Sequence, residues 1–268
     1  LLIEENMTGA SDSQNVTLTV ERGLEVLCAF RAERAPLSNA ELVRRTGLSK
    51  ATVSRLTSTL IRIGFLRRVG GGRQFELGPG ALSIGYAYLE ANPITHCVNP
   101  FMQELADKLD VCVALAVPHH LNMLYIACRT SARIATLRLG VGTVLPMEST
   151  SVGRAYLYAL PPDERRARMT AILNAAGGAA ATVRNGIEVA FDDLRESGVC
   201  MSVGEYQRNA YGIALPIHVG RSRTLMALSC GAVELEPHMA AIRKKVIPAL
   251  KLAAHKVPEL LADIDCEP

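Results

Sequence analysis

The stretch LSNAELVRRTGLSKATVSRLTSTL, residues 37–60, reads as two short helices and the turn between them. Ser38-Asn39-Ala40-Glu41 has the spacing of a capping box, in which the serine hydroxyl accepts a bond from the N–H three residues on and the glutamate reaches back. Leu42 and Val43 give the first helix an apolar side, and Arg44 and Arg45 a wet one. Gly47 tolerates the left-handed backbone of a tight turn, and Ser49 is a good N-cap for the second helix. There Val53, Leu56, Leu60 and Ile63 recur every three or four residues, which predicts one buried stripe. The opposite face shows Lys50, Thr52, Ser54, Arg55 and Ser58, hydrogen-bonding side chains without a carboxylate. This is the pattern of a helix-turn-helix, whose second helix lies in the major groove with its N-terminal half toward base edges. Arg44, Ser49, Lys50, Ala51, Thr52, Ser54 and Arg55 are therefore the expected DNA contacts on these two helices.

The segment that follows extends the pattern. Phe65-Leu66-Arg67-Arg68-Val69 and Arg73-Gln74-Phe75-Glu76-Leu77 are two short strands around Gly70-Gly71-Gly72, a hairpin in the place of the wing of a winged helix-turn-helix. Arg67, Arg68 and Arg73 would sit near phosphates or reach into a minor groove. Between Glu41 and Glu76 lie eight basic residues and no acidic one. The chain has 29 Lys+Arg against 26 Asp+Glu, so without those eight the remainder carries 21 basic against 26 acidic residues. A one-signed segment in a chain of net charge +3 calls for a polyanion, here double-stranded operator DNA.

At 268 residues the chain accommodates two domains, each able to bury a core. Hydrophobic residues make up 49%, aromatics only 4%, and there is no Trp, so the core is aliphatic and alanine-rich. No apolar run is long enough to span a membrane. Residues 1–15 are polar, read as a loose tail and show no signal peptide. Seven cysteines, none in a C-x-x-C pair, fit reduced thiols in a cytoplasm.

An amphipathic helix is expected over 19–30, with Val20, Leu24, Leu27 and Cys28 inward. After the wing, a helix starts at Pro79 and ends at Asn92-Pro93, the natural connection between two halves. A helix over 98–109 leads into the second domain, where strands are expected over 111–117, 123–128, 134–139, 199–203, 211–218 and 224–230. Helices are expected over 151–160, 163–175, 187–196 and 237–254, with Gly177-Gly178-Ala179-Ala180-Ala181 as a loop. Grouped strands with helices around them indicate α+β, a mostly antiparallel sheet covered by helices. The boundaries read as a tail 1–15, a winged helix-turn-helix 16–78, a linker helix 79–94, a second domain 95–256 and a tail 257–268.

Arg55-Leu56, Leu60, Gly64-Phe65-Leu66 and Phe75-Glu76-Leu77-Gly78 resemble the DNA-binding half of IclR-type bacterial transcriptional regulators. The likeness continues through Leu145-Pro146-Met147, Gly153-Arg154-Ala155 and Leu160-Pro161, and through Ala214-Leu215-Pro216-Ile217 with Ala227-Leu228-Ser229. It covers about 16–252. The resemblance implies a GAF/PAS-like effector domain, homodimers or dimers of dimers, and action as repressor or activator in the cytoplasm. The chain departs from the family pattern at Ser151-Val152, where members often carry a small pair, at Gly212, and at Lys108-Leu109-Asp110.

No enzyme signature stands out. The six histidines form no H-x-x-x-H pattern, His119-His120 reads as a surface turn, and no G-x-S-x-G elbow, P-loop or Rossmann fingerprint occurs. No cofactor or metal is expected. Ser149-Thr150-Ser151 before a helix reads either as a cap or as an anion site at a helix N-terminus. Three segments are expected to converge on a pocket: Met147, Ser151, Val152 and Gly153 at that helix start, Gly212 and Ile213 entering a strand, and Ser229 and Gly231 leaving another. With Met147, Val152, Ile213 and Leu215 as apolar wall, such a pocket suits a small organic acid. Two other readings stay open, a C-terminal domain that only oligomerises and an enzyme fused to a winged helix.

Overall fold

In the computed structural model, which describes residues 17–30, 35–134, 139–234 and 237–265, the chain divides into two compact units between Leu89 and Glu90. The first contains α1 (Leu18–Cys28), β1 (Leu37–Ser38), α2 (Asn39–Thr46), α3 (Lys50–Arg62), β2 (Leu66–Val69), β3 (Gln74–Leu77) and most of α4 (Pro79–Ala91). The hairpin β2–β3 pairs Arg68 with Phe75, and β1 adds to its β3 edge, giving the antiparallel order β1-β3-β2. Two residues of strand carry too little pattern for β1 to be read from sequence. The core is Val26, Ala29, Leu37, Leu42, Val53, Leu60, Leu66 and Phe75.

Two apolar stripes differ from expectation. In α1 the buried residue is Val26, with Ala29 just beyond, while Val20, Leu24 and Cys28 are exposed. In α3 Ile63 is exposed and Thr57 is buried instead, its hydroxyl donating to the Val53 carbonyl so that the methyl faces the core without an unpaired donor. Both misreadings have one cause: periodicity identifies an apolar face but not what covers it. The helix α4 is an extreme case, since none of its residues is buried and Leu82, Ile84, Tyr86 and Tyr88 are exposed.

The second unit holds α5 (Pro93–Leu109), β4 (Cys112–His119), β5 (Asn122–Thr130), β6 (Val144–Pro146), α6 (Ser151–Ala159), α7 (Pro162–Ala176), a single 3-10 turn (Gly177–Ala179), α8 (Ala180–Ser197), β7 (Cys200–Val203), β8 (Ala210–Val219), β9 (Thr224–Val233) and α9 (Met239–Leu260). The strands form one antiparallel sheet in the order β6-β5-β4-β9-β8-β7. Of the strand expected over 134–139, Ile134 lies in a bend and Leu139 in no strand, and 135–138 fall outside the described residues, as does the tail 1–15. The short edge strand β6 was not expected. Helix α5 starts at Pro93 rather than near 98, with Asn92 accepting from the Ile94 N–H as its N-cap. The alanines at 180 and 181 begin α8 rather than closing a loop. Helix α9 passes through Pro248 and Pro258 to Leu260, because Val246, Leu250, Ala253 and Val257 form a buried stripe whose packing outweighs the lost hydrogen bonds.

Alternation along the central strands makes the two faces of this sheet unlike. Val113, Leu115 and Val117 of β4, Ile213, Leu215 and Ile217 of β8, and Met226 and Leu228 of β9 share a core with α5 and α9. The opposite parity presents Ala114, Ala116, Ala214 and Ala227, which share a core with α6 and α8. Small side chains on that face let α6 lie close to the sheet and leave room beside it.

Candidate nucleic-acid interface and ligand cavity

In the first unit the turn between α2 and α3 is made as the sequence dictates. Gly47 is left-handed (φ 70°) and its N–H donates to the Val43 carbonyl. Ser38 caps α2 by accepting from the Glu41 N–H at 3.2 Å, but the glutamate does not complete the box. Its carboxylate accepts from Arg44 Nη2 at 2.6 Å and Arg45 Nε at 2.6 Å. These two arginines hold the Glu41 carboxyl down to about 2, from an ordinary 4.5. Arg45 also donates to the Ala29 carbonyl at 3.0 Å, so it ties α2 to the end of α1.

Helix α3 begins at Ser49, whose hydroxyl accepts from the Thr52 N–H at 3.2 Å and lies 2.9 Å from the Thr52 hydroxyl. Lys50, Ala51, Ser54 and Arg55 are exposed on its N-terminal half, and Thr52 is half-buried. Ser58 and Thr59 turn their hydroxyls back to the carbonyls of Ser54 and Arg55. In the wing Arg67 pairs with Glu76 at 2.6 Å across the two strands, and Arg68 donates to the Gly72 carbonyl with its guanidinium over the Phe75 ring. The flanking carboxylates of Glu41 and Glu76 thus engage Arg44, Arg45 and Arg67, whereas Lys50, Arg55 and Arg73 have no ion pair among the described residues.

In the second unit a small cavity, partly open to solvent, lies between the start of α6 and the small-residue face of the sheet. Ser151, Val152, Gly212, Ser229 and Gly231 line it. Met147, Gly153, Ile213 and Leu215 do not. Ile213 and Leu215 have the wrong parity and lie in the core against α5 and α9, and Met147 is fully buried in the core beneath α6. Gly153 serves close packing, since a Cβ there would stand 2.2 Å from the Met147 Cα.

The cap of α6 is Thr150, not Ser151: its hydroxyl accepts from the Gly153 N–H at 3.3 Å and donates to the Pro146 carbonyl at 2.6 Å. Ser151 is consequently released from capping, and its hydroxyl points at the sheet, where a Cβ on Gly212 would come within 2.6 Å of it. Ser151 and Val152 are the first two residues of α6, so the N-terminal end of the helix borders this space.

Several lining residues escaped sequence reasoning. Tyr125 from β5 meets Ser229 through its phenol; burial pushes the phenol up, the Ser229 hydrogen bond opposes this, and the group stays protonated. Cys112, Thr150 and Ser202 contribute to the wall, as do Tyr206 and Gln207 from the loop between β7 and β8. Among the described residues no Lys or Arg lines the cavity. Arg154, on α6, is buried, donating from Nε to the Glu148 carbonyl at 2.8 Å and gripping Glu205. A signal for Tyr125 and Ser202 did exist: both sit at strand positions of the same parity as the small-residue face.

Comparison with known proteins places both units. Residues 86–259 match the family described as bacterial transcriptional regulator IclR C-terminal, and residues 19–70 match the IclR helix-turn-helix domain. The Pca regulon regulatory protein of Pseudomonas putida is 28% identical over 238 residues, 88% of this chain and 81% of that protein. The crystal structure of an IclR family transcriptional regulator from Brucella abortus is 34% identical, covers 95% of this chain and 96% of its own, and has a TM-score of 0.80. An IclR homolog from Microbacterium hydrocarbonoxydans, solved in complex with 4-hydroxybenzoate, shares the fold at 20% identity, covering 91% of this chain and 98% of its own with a TM-score of 0.64.

Proposed function

The chain belongs to the IclR family of bacterial transcriptional regulators, and we propose that a small organic acid bound beside α6 sets its affinity for operator DNA. As a member of that family it is a helix-turn-helix regulator rather than an enzyme. In this reading Lys50, Ala51, Thr52, Ser54 and Arg55 face bases and nearby phosphates, with Ser49 and Arg44 at the edge of the same surface. Arg67, Arg68 and Arg73 follow the backbone from the wing.

The observation that carries the effector assignment is the transfer of capping from Ser151 to Thr150. It leaves the Ser151 hydroxyl at a helix N-terminus on a cavity that no charged side chain lines among the described residues. Such a site attracts a carboxylate, while Val152, Leu139 and Leu145 accommodate an apolar body. The aromatic hydroxy acid held by the Microbacterium homolog has this chemistry. Tyr125 and Tyr206 add phenols that suit a hydroxylated ring.

An effector shifts DNA affinity only by favouring one arrangement of paired DNA-binding units over another. A homodimer or dimer of dimers in the cytoplasm supplies that pairing, and the apolar side chains of α4 offer a surface for it. The test replaces Ser151 by Leu in the full chain. Operator binding should be retained while the response to aromatic and aliphatic carboxylic acids, including 4-hydroxybenzoate, is lost. A variant that still responds places the effector elsewhere, and wild-type protein that shows no thermal shift with any such acid favours a purely oligomerising C-terminal unit.

A further inference from the structure

Two of the seven cysteines face one another across the sheet at the cavity. Cys112 opens β4 and Cys128 lies near the end of β5, and their Sγ atoms are 3.3 Å apart. The register pairs Cys112 with Thr130 and Ala114 with Cys128, so the two cysteines are diagonal neighbours on the face that carries α6. Cys112 is buried from bulk solvent yet lines the cavity, and Cys128 is half-buried. Cys230 also borders the cavity, but as the register partner of Val113 its side chain belongs to the core on the opposite face of the sheet; Cys200 is buried on β7, and Cys28 and Cys97 are exposed.

We propose that Cys112 and Cys128 are a thiol-oxidation site, closing reversibly to a disulfide in the wall of the cavity when a peroxide enters it. The geometry carries three parts of this. The sulfurs already touch, so bond formation needs a rotation and a small approach rather than a search. The cavity brings a small oxidant to Cys112 without local unfolding. The hydrogen bond between the thiols lets one sulfur stabilise the other once it ionises; that bond, opposed by burial, holds Cys112 below the ordinary thiol range.

The chemistry balances with one peroxide. The Cys112 thiolate attacks a peroxide oxygen; an S–O bond forms, the O–O bond breaks, and the leaving hydroxide takes a proton to become water. The Cys128 sulfur then attacks the sulfenic sulfur; the S–S bond forms, the S–O bond breaks, and a second water leaves with the Cys128 proton. Two thiols are oxidised by two electrons and one hydrogen peroxide is reduced to two waters.

The closed form would differ in shape from the open one. Diagonal neighbours in an antiparallel pair stand about 7–8 Å apart, whereas a disulfide holds its Cα atoms at roughly 4.4–6.8 Å. Closing the bond therefore draws β4 and β5 together between the cavity and the β5 edge, beside Tyr125. Such a bond, formed at some cost to the strands, is of the labile kind that reductants reopen.

The experiment treats reduced full-length protein with a few equivalents of hydrogen peroxide, alkylates the remaining thiols and maps the peptides by mass spectrometry. The expected result is one joined pair carrying Cys112 and Cys128, short by two hydrogens, with Cys230 and Cys200 still alkylated, and restored by dithiothreitol. The variants C112S and C128S, checked for folding by circular dichroism, should each give no joined pair. In C128S the Cys112 sulfenic acid, having lost its resolving thiol, should be trapped by dimedone. Wild-type protein that yields no Cys112–Cys128 pair while folded, or that joins other cysteines first, overturns the proposal. Retention of a joined pair in either serine variant does so as well.

Discussion

Arg154 grips Glu205 through both terminal guanidinium nitrogens, at 2.8 and 2.5 Å, across 51 residues of chain. The guanidinium is buried and the carboxylate is half-exposed, at 5% and 40% of their side-chain surface. The pair fixes the loop between β7 and β8, which supplies Tyr206 and Gln207 to the cavity, against the helix whose N-terminus forms its other side.

Neutralising Glu205 leaves the buried guanidinium without its counter-charge. Glu205→Gln should therefore cost about 1–3 kcal/mol, less than a fully buried pair because water reaches Glu205. A lowered urea midpoint and faster hydrogen exchange over 204–210 would be the signature. An unchanged exchange rate would mean that the loop is held by other contacts.

Two glycines near α6 should respond differently to a single methyl group. At Gly153 the new Cβ meets the Met147 Cα at 2.2 Å and its carbonyl oxygen at 2.5 Å, and backbone cannot rotate away. Gly153→Ala should destabilise the second unit by about 1–3 kcal/mol. At Gly212 the obstacle is the Ser151 hydroxyl at 2.6 Å, which can turn aside. Gly212→Ala should fold, and should weaken binding of a responsive carboxylic acid by roughly tenfold or more, measured by calorimetry. Equal losses of stability in both variants would show that the Ser151 hydroxyl is as fixed as the backbone.

For DNA, log K should fall with log salt by roughly 0.9 per phosphate contact. Lys50→Ala and Arg73→Ala should each make that slope shallower, on operator and random DNA alike. Arg55→Ala should cost about 1–3 kcal/mol on operator and much less on random sequence. Arg67 is committed to Glu76 in the free protein, so Glu76→Gln should strengthen low-salt binding by releasing it. Fluorescence anisotropy over a salt series reads all four variants, and an equal loss on both DNAs would make Arg55 a phosphate contact.

Acid should loosen the first unit through Glu41. Its carboxyl is held at about 2 from an ordinary 4.5, chiefly by the Arg44 hydrogen bonds and then by those of Arg45. A lowered folded-state value means that the contribution is complete above pH 4.5 and disappears as pH falls through 2. Glu41→Gln should lower the thermal midpoint of this unit near neutrality, and the gap to wild type should close progressively below pH 4.5. A gap that stays constant from pH 6 to pH 2.5 would remove the ion pairs from the explanation.

The amino-acid order by itself determined what is local. The caps at Ser38 and Ser49, the left-handed Gly47 and the arginine-flanked hairpin each depend on side chains within about four residues, and those interactions form wherever the pattern occurs. The alternating strands 112–119, 210–219 and 224–233 were legible for the same reason. Only the tertiary structure decided what depends on a partner distant in sequence. Val20, Leu24 and Ile63 are apolar at helical spacing, yet nothing among the described residues of the first unit covers them. Of the residues expected at a pocket, Ser151, Val152, Gly212, Ser229 and Gly231 line the cavity beside α6, and its membership turned on strand parity and on which hydroxyl caps α6. Parity sends Ile213 to the opposite core, and capping by Thr150 turns Ser151 toward Gly212. Cys112 and Cys128 meet, and Arg154 finds Glu205, only because the sheet order brings β4 beside β5 and folds the loop after β7 over α6. A pairing between residues tens of positions apart costs chain entropy that no local pattern records, and it exists because the whole sheet has already met that cost.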